Sequence, residues 1–177
     1  MTSKPQISDN SRPTPERDTP AELLFDAFSE DHSRMGRGFY ELSQLLRAND
    51  VRAACALAQR IDEESGAHIA FEETNFYPRL SELLSRTEID RMYEEHRVGA
   101  DTVRTLLDHE PEEQLDPEVK ERLTIGTTQM SEHISECGEL YGALGGVPMA
   151  EQAELLGQLV EWRRRRPRWT AFAAGRE

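Results

Sequence analysis

A chain of 177 residues with 34 acidic against 21 basic side chains carries a formal net charge of -13, which speaks against a body that binds nucleic acid, since phosphate contacts need a basic surface. No apolar run approaches the roughly 20 residues of a membrane helix, and the polar N-terminus lacks the apolar core of a signal peptide. The two cysteines, Cys55 and Cys137, fall on separate predicted helices without paired spacing, so a soluble cytoplasmic protein of one ordinary domain is expected.

Residues 1–18 are rich in Ser, Pro and charge and read as a disordered leader. The bundle proper is expected over 19–146. It opens on "TPAE", with Thr19 as N-cap, Pro20 at the first helical position and Glu22 closing a capping box. The first helix then repeats apolar residues at alternating steps of three and four: Phe25, Phe28, His32, Met35, Phe39, Leu42 and Leu46. That is the seam of a helix packed in a bundle, and a histidine stands in it.

The pattern recurs. After Asp50 as cap, a second helix places Val51, Ala54, Ala58, Ile61, Ser65, His68 and Glu72 on one seam before Pro78 disrupts it. "SRTE" caps a third, with Ile89, Met92, His96, Gly99, Val103 and Leu106. Asp116 and Pro117 open a fourth, with Leu123, Gly126, Met130, His133, Cys137, Leu140 and Leu144. No β-type alternation occurs, so the expected class is all-α: an up-down antiparallel four-helix bundle with an additional C-terminal helix.

Each helix carries one seam histidine. "SEDHSRMG" and "YEEHRVGA" form a weak internal repeat, as do "HIAFEETNFYP" and "HISECGELYGAL"; His32 and His68 lie 36 residues apart, His96 and His133 37. Two similar helix hairpins would bring all four imidazoles to one level. A lone seam histidine is usually a hydrogen-bonded core residue. Four of them with a glutamate in one core are costly without a cation, and point to a metal site. Histidine and carboxylate suit iron and zinc alike.

A histidine in the first helix, His-x-x-x-Glu with a second acid and an aromatic-Pro in the second, and further histidines in the third and fourth resemble hemerythrin-like, HHE cation-binding domains. The resemblance spans about residues 20–145. It implies a non-haem di-iron centre, two iron ions per chain with an oxo or hydroxo bridge, that meets dioxygen, peroxide or nitric oxide or serves iron sensing. The implied ligands are His32, His68, Glu72, His96 and His133, with Glu72 bridging. Two positions depart from the pattern: Ala100 stands where oxygen carriers have a further histidine, and Cys137 and Gly138 stand where the fourth helix usually has an acid. Glu136 is the expected second bridging carboxylate, with Cys137 the alternative.

If each iron takes about six ligands, these donors and a bridging oxygen fill about ten of twelve positions. Open positions on both metals favour redox reaction or sensing over simple oxygen transport, and leave open whether the protein is a peroxide-consuming enzyme. Tyr77, Tyr93 and Tyr141 are candidates to hydrogen-bond ligands, and His109 lies off the seam. Residues 147–177 read as a fifth helix with Leu156, Leu159 and Val160 on one side and an arginine-rich end, Arg163 to Arg168. Those arginines either pair with the acidic body or dock an acidic protein partner, nucleic acid or a membrane surface.

Overall fold

The computed structural model describes residues 19–141 and 147–175, with the side chains of 138–141 excepted. The expected leader, Leu144 and the side chains of Leu140 and Tyr141 lie outside what is described. All regular structure among the described residues is helical: α1 (Pro20–Ala48), α2 (Val51–Phe71), α3 (Tyr77–Leu80), α4 (Arg86–Leu107), α5 (Pro117–Tyr141), α6 (Met149–Arg165) and α7 (Trp169–Ala174). Helix starts follow the expected chemistry. Thr19 with Glu22 and Ser85 with Glu88 form complete capping boxes, and the Asp50 side chain accepts the Ala53 amide.

Helix α1 packs on α2 and α5, and α4 packs on the same two. Their seams fill two apolar clusters. One holds Met35, Phe39, Leu42, Ile61, Ile69, Ala100, Val103 and Met130; the other holds Leu24, Phe28, Phe71, Phe76, Tyr77, Met92 and Cys137. Along α1 and α4 the residues of the second cluster precede those of the first; along α2 and α5, with the turn after α2, they follow. The four seam histidines fall where the clusters meet.

Three expectations change. Phe25 is half exposed and Leu24 is buried in its place, so the α1 seam starts one residue earlier. On α6 the buried face is Gln152, Leu155 and Leu159, with Val160 outside. Pro78 does not end the second helix. Residues Glu72–Phe76 form a single π-helical turn, in which the Tyr77 amide donates to the Glu72 carbonyl, and helix resumes through Leu80. Pro78 sits in the first turn of α3, where its missing amide is tolerated.

The C-terminal segment is part of the core. Trp169 is fully buried beside Phe39, in the same cluster as Ala100 and Met130. Gly66 and Gly99 make room for it. A Cβ on Gly66 would fall on the Pro167 carbonyl oxygen, and one on Gly99 would lie 2.5 Å from the Trp169 ring and 2.6 Å from Met130 Sδ.

Candidate metal centre

Five side chains from four helical stretches converge at the level between the two clusters. His32, His68 and Glu72 form one buried group, and Glu72, His96 and His133 form another, each with its donor atoms within 4.8 Å of one another. Glu72 belongs to both. Its Oε1 faces His68 Nε2 at 3.3 Å and His32 Nε2 at 3.7 Å, while its Oε2 faces His96 Nε2 at 3.2 Å. His96 Nε2 and His133 Nε2 lie 2.9 Å apart. The i, i+4 spacing of His68 on α2 and Glu72 at its C-cap, where the backbone is still α-helical, stacks them on one face.

Outer carboxylates orient three of the four rings. His68 Nδ1 donates to Asp31 Oδ2 at 3.2 Å, His96 Nδ1 to Glu73 Oε1 at 3.0 Å, and His133 Nδ1 to Glu95 Oε2 at 2.8 Å. Each ring thus turns its Nε2 inward, the arrangement typical of metal-binding histidines. Asp31 precedes His32 but serves His68, and Glu95 precedes His96 but serves His133. The acid-His dipeptides of the internal repeat therefore act across each hairpin, on the next helix. Sequence adjacency alone would have assigned each acid to the wrong ring; only the repeat hints at the crossing.

The residues fit a cation. His32 Nδ1 and Nε2, His68 Nε2 and Glu72 Oε1 are buried without a hydrogen-bond partner, a cost that a coordinated metal would remove at His32 Nε2, His68 Nε2 and Glu72 Oε1. Phe28 covers this half, its ring centroid 4.2 Å from that of His32 and 4.7 Å from that of His68.

Tyr77 enters the other half. Its hydroxyl stands 3.0 Å from His96 Nε2, 3.4 Å from Glu72 Oε2 and 3.5 Å from His133 Nε2. The π turn brings it there by carrying Tyr77, five residues past Glu72, round to the same side. Ala100 is buried in the apolar cluster and offers no donor.

The two fourth-helix candidates separate. Glu136 is half exposed and pairs with Arg91 at 2.8 Å, outside both groups of potential ligands. Cys137 is buried, with Sγ 3.6 Å from His133 Nε2 and 4.0 Å from the Tyr77 hydroxyl. Burial and the nearby Glu72 charge push its thiol pKa far up. Glu136→Ala is expected to leave metal content unchanged after dialysis; a loss of metal would mean that Glu136 leaves Arg91 to reach the centre. His109 hydrogen-bonds the Glu113 carbonyl and takes no part.

Without a metal the centre is an ion network. Burial alone would push His68 down, but Glu72 and then Asp31 outweigh it and hold the imidazole up to about 9. His96 is raised in the same sense, with burial outweighed by Glu72 and Glu73. Burial favours the neutral carboxyl of Glu72, but the adjacent His68 and His96 hold it well below its usual range. His32 goes the other way, to about 3, through burial and the charge on His68. A metal needs a deprotonated imidazole, so at neutral pH it must expel the His68 proton. Apparent affinity should rise as pH climbs from neutral toward about 9 and level off above. Zinc titrations across that window, with proton release followed by a pH indicator, check this; an affinity flat with pH would contradict it.

A helical bundle with two buried His/Glu pockets sharing one carboxylate is a cation-binding fold. The family model described as the hemerythrin HHE cation-binding domain matches residues 23–144, and the chain belongs to that family. No curated protein and no solved structure matches the chain.

Proposed function

We propose that the chain is a non-haem di-iron protein of the cytoplasm, built as an up-down antiparallel four-helix bundle over 19–146, that binds or reacts with dioxygen, peroxide or nitric oxide. The alternating run of α1, α2, α4 and α5 between the two apolar clusters supports that topology. One observation carries the metal count: the two oxygens of Glu72 face different histidine pairs, which suits a carboxylate bridging two cations. The ligands are His32, His68, Glu72, His96 and His133. Bound iron would supply electron exchange with such small oxidants.

The chain's own groups shape that chemistry. Phe28 keeps water from one half, and Asp31, Glu73 and Glu95 hold the rings in place. The Tyr77 oxygen stands at the half that lacks a further histidine and offers a donor or a proton there. A cleft of about 660 Å³ lined by α1, α2 and the 163–168 stretch reaches Asp31 and His68 from outside. With the other half lined by Tyr77 and Cys137 rather than a third histidine, redox reaction or sensing fits better than reversible oxygen carriage.

The test is metal analysis with an absorption spectrum, recorded anaerobically and then in air, on protein produced with added iron. About two irons per chain, with near-ultraviolet and visible bands appearing in air, are expected. A colourless protein holding only zinc would leave a structural zinc bundle, which the same nitrogen and oxygen donors suit. An iron-responsive regulator acting through the tail is the second reading, favoured by the contact of Arg163 with Asp31.

A further inference from the structure

Residues 149–175 lie beyond the part of the chain that matches the family, yet they touch both halves of the centre. Arg163 donates to Asp31 Oδ2 at 2.8 Å, the same oxygen that accepts the His68 Nδ1 proton, and to the Ala27 carbonyl at 2.9 Å. Trp162 Nε1 donates to Asn75 Oδ1 at 2.8 Å, within the π turn that begins at Glu72. On the far side, the buried Trp169 ring lies 6.3 Å from that of His96, and the Thr170 amide donates to Asp62 Oδ1 at 2.8 Å. The arm therefore clasps α1, α2 and α4, sharing Asp31 with His68 and setting the Trp169 ring edge-on to His96.

We propose that this C-terminal arm is a strap whose docking is coupled to metal occupancy, with Arg163 as a positioning residue acting on His68 through Asp31. Asp31 cannot serve the arm and the imidazole independently, because one oxygen takes both protons. A metal that fixes His68 fixes Asp31 for Arg163; a docked Arg163 in turn holds Asp31 against His68. Such coupling is reciprocal: whatever factor the arm adds to metal affinity, the metal adds to arm docking. The strap rests on the metal-centre reading, though not on the identity of the metal.

Zinc alone serves as probe on the full chain, since its binding needs no redox step. Metal content is measured first, then zinc release into excess chelator, then the rate of tryptic cleavage among Arg163, Arg164, Arg165 and Arg168 with and without zinc. Zinc should slow cleavage several-fold in the wild type. Arg163→Gln, which shortens the side chain and removes the charge, should speed zinc release by about tenfold, in the range that outer partners of metal ligands command, and Arg163→Lys should recover part of it. Gly66→Ala, whose methyl meets the Pro167 carbonyl, should speed both cleavage and zinc release. Gly157→Ala, with open space around its Cβ, should change neither.

Cleavage at the same rate with and without zinc overturns the proposal, as does wild-type zinc release from a folded Arg163→Gln. Should Gly66→Ala fail to fold, Arg163→Gln carries the test by itself. A wild type that takes up no zinc or other divalent metal overturns the metal centre itself, and is seen before any protease is added.

Discussion

Glu72→Ala is expected to empty both halves of the centre at once. Every other candidate ligand belongs to one group of donors, whereas Glu72 belongs to both, so its loss takes each from three protein donors to two. Changing an outer partner costs roughly 10- to 100-fold in metal affinity; losing a shared inner ligand should exceed that at both positions. His32→Ala, by comparison, touches one group only. Metal content after dialysis separates them: near zero for Glu72→Ala, and about half of the wild-type load for His32→Ala. If Glu72→Ala kept one tightly held metal, the carboxylate would not be shared. A second consequence needs no metal. Glu72 is the larger of the two carboxylate influences that hold His68 up, so the His68 imidazole should titrate lower in the variant, which histidine proton resonances report.

Trp169→Ala should be the most destabilising change outside the centre. The side chain is fully buried between α2 and α4, against Phe39 and the space left by Gly99. Truncating a buried Trp costs about 3–5 kcal/mol, a large share of the 5–15 kcal/mol that usually holds a domain together. Denaturant unfolding of the metal-free protein is the right measurement, because a bound metal adds stability of its own. A loss under about 1 kcal/mol would mean that α7 is an appendage rather than core.

The reach of the sequence can be judged residue by residue. His32, His68, His96 and His133 were legible because a seam position is a geometric statement: a residue at the three-four step must face the bundle interior. The capping boxes at Thr19 and Ser85 were legible for a similarly local reason. Glu136 resembles a ligand in the sequence because i+3 lies near the right side of a helix, but a few tens of degrees decide between core and solvent, and Arg91 on α4 gives it an outward partner. Pro78 pointed to a helix end because the usual cost of proline assumes an α-helical ladder; a wide turn just before it changes which amide is needed. Trp169 was hidden for another reason. Its socket is made by Gly66 and Gly99, residues that are remote in sequence and announce themselves by lacking a side chain. Asp31 and Glu95 were visible as acids, but their service across each hairpin is a tertiary fact.

The wide turn at Glu72–Phe76 bears on how such a protein can change over generations. Successive residues on an ordinary helix are rotated by about 100°, so Tyr77, five residues on, would point well away from Glu72 if the same residues wound as an unbroken α ladder. The phenol would leave the histidines while every ligand before it kept its place. One codon lost in this stretch would let the ladder close with the tyrosine four residues past Glu72 and still on its side, so the wide turn absorbs one extra residue without moving the phenol. Descendants of a common ancestor could gain or lose that residue while the five candidate ligands and the phenol keep their places, and the gap in the alignment would mark only the width of the turn.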